Sequence, residues 1–328
     1  MRIEIHTPHG GRTGNDACAF VEVWNAGASA VVRAINKSPD ANASCAIWTR
    51  DLPTLSGKRL GYVGRFSCTD GDAAVVALKA ACDWLARHGC HVAVGPVDGS
   101  TWHGYRFVTE SSAEPAFAKE PTNPPEWPDL WKSAGFMPVA SYHSSLNDEL
   151  TLNDPLLDDA SSRARAAGLC LRPLNMAEFD RELRAIYEVS LNAFAENFLY
   201  TPIAWEEFAA MYAPMKNLLD PRLVLLADDP VRPGRLAGYM MAFPDYLEHQ
   251  RTGECRTVIL KSLAVHTDWR SVRLGTWLVA QAQSNAKALG MNRSIFALMH
   301  DANPSARIGK HYSRVIRRYT LFRRESAP

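Results

Sequence analysis

The stretch "HTDWRSVRLGTWL", His266 to Leu278, sets Arg270, Arg273 and Gly275 directly ahead of a helical pattern. A helix start presents amides without intrahelical acceptors at the positive end of the helix dipole, which suits a phosphate. Glycine lets an anion approach the backbone, and the guanidinium groups add charge-assisted hydrogen bonds. The same residues also start a helix with nothing bound, so the loop alone leaves anion binding and plain capping both open. Other chemistry-bearing types are sparse. His88, His91 and His103 lie near one another in sequence, but no H-E-x-x-H or acidic partner stands at ligand spacing, so they read as structural and no metal site is expected. The seven cysteines are scattered and never form C-x-x-C, which points to buried thiols in a reducing compartment.

With 36 Lys+Arg against 35 Asp+Glu in 328 residues, the net charge of +1 gives no global field toward nucleic acid, anionic lipid or acidic substrates. The N-terminal "MRIEIHTPHGGRTGND" has no apolar core of a signal peptide, and no stretch approaches the roughly 18 apolar residues of a membrane span. A cytoplasmic protein with no membrane partner is expected.

The loop must be positioned by the elements around it, and these recur in one order in both halves. In the first, "RLGYVGRFSC" alternates as a strand. "DAAVVALKAACDWLARHG" is a helix with Val75, Leu78, Cys82 and Leu85 on one face, Asp72 as N-cap and Gly89 as stop, and "CHVAVG" is a buried strand. The polar "NDELTLNDPLLDDASS", Asn147 to Ser162, reads as a linker and divides the chain into 1–160 and 161–328. In the second half, "CLRPLNMAEFDRELRAIYEVSLNAF" is a strand and an amphipathic helix with Phe179, Leu183, Ile186 and Tyr187 inward. "RLVLLADD" and "RLAGYMMAFPDY" are strands around the turn "DPVRPG". "TVILKSLAVH" (Thr257 to His266), a helix Thr276 to Leu289 stopped by Gly290, and "SIFALM" then form a strand-helix-strand crossover.

The segment "LKSLAVHTDWRSVRLGTWLVAQAQSNAKALG" resembles the acyl-CoA-binding core of the GNAT acetyltransferase superfamily, whose loop reads Arg/Gln-x-x-Gly-x-Gly/Ala. Here it is Arg270-Ser-Val-Arg273-Leu-Gly275, and Arg273 stands at the first glycine, where its side chain either disturbs one amide of the pyrophosphate cradle or contacts the phosphates itself. The resemblance implies an α/β fold of two tandem GNAT-like domains, each a mixed, centrally splayed β-sheet flanked by helices. It implies acetyl-CoA as co-substrate, held by Leu263, Val265, Arg270, Arg273, Leu274, Gly275, Thr276 and Asn303. The amides around Leu263 and Val265 would face the thioester and stabilise an oxyanion, and Asn303 would meet the pantetheine arm. Downstream, "ALMHDANPSARIGKHYSRVIRRYTLF" places Tyr312, with His311 as rival, near the tyrosine that protonates the departing thiolate. For the base that deprotonates the amine, Glu248, Asp245 and His249 in "FPDYLEHQ" are candidates, with Glu248 taken first. The acceptor site would draw on Glu196, Asn197 and Tyr246. The aromatics of "FAENFLYTPIAWEEF" form either a lid over that site or part of the core.

The first half ends in "LWKSAGFMPVASYHSSL", which also resembles the end of a GNAT domain. Its equivalent loop, "SCTDGDAA", puts Asp70 and Asp72 where an anion would lie, so this half reads as a degenerate copy that does not bind CoA. Its expected role is either to complete the acceptor pocket or to stabilise the other half. The long "GPVDGSTWHGYRFVTESSAEPAFAKEPTNPPEWPDL" carries Trp102, His103, Tyr105 and Arg106, which either reach a substrate or pack on the surface. The resulting expectation is an acetyl-CoA-dependent N-acyltransferase acting on a small or amino-acid-like primary amine. A non-catalytic acyl-CoA-binding or protein-interaction module is the alternative, and a homodimer is the candidate assembly. The basic "SRVIRRYTLFRR" has no recognition motif, so a solvated edge or protein contact is expected and nucleic acid is not.

Overall fold

Alternating and β-branched runs become strands throughout the computed structural model, which describes residues 1–8, 22–23, 26–36, 42–150 and 157–325. In chain order the first half supplies β1 (Arg2–His6), β2 (Ala30–Ile35), β3 (Asn42–Trp48), β4 (Thr54–Leu55), β5 (Lys58–Cys68), α1 (Gly71–Arg87), β6 (Val92–Gly95), β7 (Phe107–Ser111), α2 (Trp127–Ser133) and β8 (Met137–Asn147). After α3 (Leu157–Ala166) come β9 (Leu171–Pro173), α4 (Phe179–Ala193), α5 (Trp205–Tyr212), β10 (Val224–Asp228), β11 (Leu236–Pro244) and α6 (Tyr246–Thr252). The chain closes with β12 (Thr257–Val265), α7 (Leu274–Ala288), β13 (Arg293–His300) and β14 (Arg314–Glu325). Among the described residues these strands join one 14-stranded sheet in the order β1-β2-β3-β5-β6-β14-β8-β13-β12-β11-β10-β9, with β4 on β5 and β7 on β14 beside this path.

The two halves exchange their last strands. β8, from the first half, pairs with β13 and β14, whereas β14, from the second, pairs with β6, β7 and β8. Each half also has one parallel pair that opens after a few residues. β5 and β6 run together over Leu60–Tyr62 and Val92–Val94, and β12 and β13 over Thr257–Leu260 and Arg293–Phe296. The opening of the second pair is the frame of the site.

Helices cover both faces. α4 and α5 bury Leu183, Ile186 and Phe208 with Leu226, Met241 and Phe243 on one face, while α7 buries Leu274, Leu278 and Ala282 with Leu225, Met240 and Leu260 on the other. The neighbouring residues Met240 and Met241 thus point to opposite faces, as the two-residue period of a strand requires.

Three sequence expectations change. The polar linker is helical from Leu157, where Ala160 and Ala164 are buried and Ala164 joins the cluster under α7; positions 151–156 lie outside the described residues, as does Cys18. The N-cap of α1 is Asp70, whose side chain accepts from Ala73 at 2.7 Å, with Asp72 in the first turn. The basic run is no edge: β14 lies between β6 and β8, with Ile316, Tyr319, Leu321 and Phe322 buried. Three of its arginines are ion-paired, Arg314 with Glu114 and Asp148, Arg317 with Glu120 and Arg318 with Glu110.

Candidate active site

The register between β11 and β12 slips by one residue: Met241 faces Ser262, but Ala242 faces Leu260. Lys261 is therefore the extra residue of a bulge, which re-aims the strand where β13 leaves it. Beyond the bulge His266 donates its amide to Ala237 at 2.8 Å. Alternation along an antiparallel ladder then turns the amides of Leu263 and Val265 away from β11, toward the open side of the sheet.

On the far side of the opening, Leu298 has a left-handed φ of 61° where the pairing of β13 with β8 is interrupted. Its amide donates to Ser144 Oγ at 2.9 Å. Ser144 meets the Tyr319 hydroxyl at 2.9 Å, and that hydroxyl donates to Glu120 at 2.7 Å. Buried polar groups must be paired, so this chain fixes the outward bend of β13 through residues of both halves.

A cavity of about 820 Å³ fills the opening. Leu260, Lys261, Ser262 and Leu263 form one wall and Ala297 to His300 the other, with Met211, Met215, Met240, Met241 and Phe243 giving it an apolar lining. The first half contributes the segment Thr101 to Arg106, Lys119, Glu120 and Tyr142. The long loop of that half is anchored: Trp102 donates to the Thr201 carbonyl at 2.8 Å and packs on Phe194, Tyr200 and Phe208, while Phe117 and Ala118 are buried in the core under α4. Within "FAENFLYTPIAWEEF", packing and lining coexist, since Phe194, Phe198 and Tyr200 touch the cavity while Phe208 is fully buried.

α7 begins without a side-chain cap. The amides of Thr276 and Trp277 both approach the Arg273 carbonyl, at 3.1 and 3.4 Å, and those of Leu274 and Gly275 precede them with no intrahelical acceptor. Arg273 adopts φ 58° and ψ 30°, the left-handed conformation glycine takes most easily, and its side chain turns back to Asp159 of α3 at 3.5 Å. The departure from the family's glycine is thus accommodated away from the helix start. A Cβ on Gly275 would lie 3.4 Å from Leu263 and 3.6 Å from Val265, so a methyl fits but a longer side chain crowds the end of β12. Leu274 is fully buried and reaches the loop only through its backbone, and Thr276 is half-buried in the first turn.

The remaining candidates separate. Asn303 lines the cavity and donates to Asn197 at 3.2 Å, so these two come together. Glu196 pairs with Arg270 at 2.7 Å, which places it beside the α7 loop, not over an acceptor. Tyr246 packs on Phe243 outside the cavity wall. Tyr312 packs against Phe296, whose ring lines the cavity, and His311 is exposed. The acidic candidates are occupied elsewhere. Glu248 accepts the amides of Arg256 and Thr257 at 3.0 and 2.8 Å, and Asp245 caps α6 while accepting from Ala118 at 2.9 Å. Neither lines the cavity, and His249 is exposed. The spacing Asp245-x-x-Glu248 is that of a capping box, a signal for a helix start that competes with the reading as a base.

The sequence leaves Lys261 unremarked and marks Arg106 only as a residue that either reaches a substrate or packs on the surface. Lys261 lines the cavity, and burial, with Arg106 and Lys119 nearby, pushes it down to about 7 against the opposing effect of Glu120. Arg106 is only 7% exposed and lies between the rings of Tyr105 and Tyr142, 4.1 and 4.3 Å from their centroids. A lysine in a strand reads as solvent-facing, and only the bulge turns it inward.

In the first half the matching opening is closed. Gly95 touches the Val63 carbonyl and the Trp131 ring so closely that a Cβ there would fall 2.3 and 2.4 Å from them. Trp131 packs edge-on or tilted in a cluster with Phe66, Phe107, Phe136 and Phe322, and Asp70 occupies the helix start.

Residues 183–308 match the model of the Acetyltransferase (GNAT) family. Residues 183–308 carry a GNAT domain. The match ends before Tyr312 and β14 and includes the bulge, the α7 loop and Asn303. A Caulobacter vibrioides protein named bacterial ceramide synthase is 24% identical over 193 residues, 58% of this chain and 50% of that protein. The chain thus spans about half the length of this curated relative. Among solved structures, a probable N-acyltransferase of unknown function from Enterococcus faecalis V583 superposes with a TM-score of 0.56 at 8% identity, covering 99% of this chain and 72% of that one. A GCN5-related N-acetyltransferase from Sphaerobacter thermophilus gives 0.50 at 16% identity, covering 91% and 81%. At these identities the likeness is one of fold, here a GNAT domain fused to a second GNAT-like half whose opening is plugged.

Proposed function

We propose that the protein moves the acyl group of an acyl-CoA to a primary amine by direct attack, with Lys261 as the proton acceptor. The observation that carries this reading is Lys261 at the bulge, in the cavity wall beside the outward-turned amides of Leu263 and Val265. The α7 start, with Gly275 and Arg270, would seat the pyrophosphate, and Asn303 the pantetheine arm. A bound thioester supplies an electrophilic carbonyl. The amides of Leu263 and Val265 are preorganised to stabilise the negative charge that develops on its oxygen. Neutral Lys261 takes a proton from the acceptor's ammonium, which frees the amine lone pair to attack the carbonyl, a role open to a lysine that burial pushes down to about 7. Tyr312, one ring behind the cavity, is the candidate donor to the departing thiolate.

Acetyl-CoA is the smallest donor compatible with this site. A second reading, a long-chain acyl group, is favoured by the cavity: about 820 Å³ lined by methionines and Phe243 is far more than an acetyl group needs. The likeness to a ceramide synthase supports the same reading, since ceramides are long-chain amides. The test follows release of free thiol from acetyl-, octanoyl- and palmitoyl-CoA against a panel of primary amines. Amide formation confirms acyl transfer, and the preferred chain length separates the two readings. CoA binding without thiol release on any amine would favour an interaction module.

A further inference from the structure

Arg106 is a buried cation without a counterion. Among the described residues it takes part in no ion pair, its Nε has no partner, and the one hydrogen bond of its side chain, to the Leu298 carbonyl, is long at 3.4 Å. The nearby carboxylates are engaged: Glu120 by Arg317, Tyr319 and the Phe117 amide, Asp98 by Arg65, and Asp301 by His143. The flanking tyrosine rings attract a guanidinium, but cation–π contacts offset only part of the cost of removing it from water. Because Arg106 lines the cavity, the missing charge can arrive from there.

We propose that Arg106, framed by Tyr105 and Tyr142, binds an anionic group, carboxylate or phosphate, carried by the amine acceptor. The inference rests on the acyl-transfer reading and names the acceptor's class. The anion belongs to the acceptor and not to CoA because of where the two ends lie. Gly275 at the α7 start neighbours Leu263 and Val265, whereas Arg106 enters from the first half beside Leu298 and is a charge felt by Lys261 at the bulge. Between them lies the position of the reacting carbonyl. An amine separated by a few bonds from its anion would therefore be held at Lys261 while its anion sits on Arg106, in a bidentate pair that only arginine geometry offers.

The experiment measures thermal unfolding of the full chain with ethanolamine, serine or O-phosphoethanolamine at fixed ionic strength, for wild type, Arg106→Gln and Arg106→Lys. Serine or O-phosphoethanolamine is expected to raise Tm while ethanolamine does not, and whichever acts identifies the anion as carboxylate or phosphate. Arg106→Gln should lose that shift, keep or raise the ligand-free Tm because an unpaired buried charge is gone, and raise the KM for the anionic amine roughly 10- to 100-fold. Arg106→Lys, which keeps the charge and most of the packing, should retain a weakened shift. Equal stabilisation by ethanolamine, no shift with either anionic amine, or a shift that survives Arg106→Gln overturns the proposal. The binding arm needs no turnover, so it stands or falls apart from the acyl-transfer reading.

Discussion

At the scale of the residue, the proposed proton acceptor Lys261 predicts how the site responds to pH. If it accepts the proton, kcat/KM rises with pH through about 7, the value to which burial and the charges of Arg106 and Lys119 push it. Lys261→Arg, charged at every working pH, should lose roughly 100-fold or more and flatten that rise; an unchanged pH profile would remove Lys261 from the chemistry. The same shift acts on stability. The folded pKa lies below the 10.5 of a free lysine, so between about 7 and 10.5 the unfolded chain holds a proton the folded chain lacks, and stability rises with pH across that window. Lys261→Met should reduce this slope in denaturant titrations run at pH 7 and pH 10. Glu248, the sequence's first candidate for the base, predicts the opposite pattern. Glu248→Ala should cost about 1–2 kcal/mol by stranding the amides of Arg256 and Thr257, with the pH profile of turnover intact. Sequence could offer carboxylates at a strand end, but not the bulge that turns a lysine inward or the amides that occupy a glutamate.

At the scale of the element, α7 and α1 follow equivalent strands in the two halves and differ in what their starts can hold. Gly275 and the turned-back Arg273 leave the α7 amides open, while at the start of α1 the Asp70 carboxylate takes the Ala73 amide and places a negative charge there. Gly275→Glu should therefore abolish stabilisation by CoA. In wild type, ligand at ~100 times its Kd adds about 2.7 kcal/mol to native stability, read as a Tm shift. A shift that persists in Gly275→Glu would place the pyrophosphate elsewhere. In the first half the expected effect is purely structural. Trp131→Ala, at the centre of the plug, should cost about 3–5 kcal/mol without changing the CoA-dependent shift measured at matched distance below Tm. Both helices were legible from apolar periodicity, Gly89, Gly290 and the two loops, because these are local signals. The plug was not, since Phe66, Phe107, Trp131 and Phe322 come from four separate stretches of chain.

At the scale of the whole molecule, a boundary at residue 160 divides the chain but not the sheet. β14 finds every strand partner in the first half, and β8 finds both of its partners in the second. Nothing local in "SRVIRRYTLFRR" signals this: its arginines read as a solvated edge, and their partners Glu110, Glu114, Glu120 and Asp148 lie far back in the chain. A half made alone would carry a final strand with no ladder to join, exposing Tyr319, Leu321 and Phe322 on the two faces of β14 in the second half, or Tyr142 and Leu146 of β8 in the first. The cavity would also lose a wall, since Arg106, Glu120 and Tyr142 come from the first half and Lys261 and Asn303 from the second. We therefore expect residues 1–154 and 155–328, each expressed alone, to be aggregation-prone and without near-UV circular dichroism. Co-expressed, they should co-purify one to one, unfold in a single transition and show the CoA-dependent shift of the intact chain. A second fragment that folds alone and binds CoA with undiminished affinity would show that the exchange only decorates an independent domain. Co-dependence would show that the first half is needed to close the sheet in which the cavity lies.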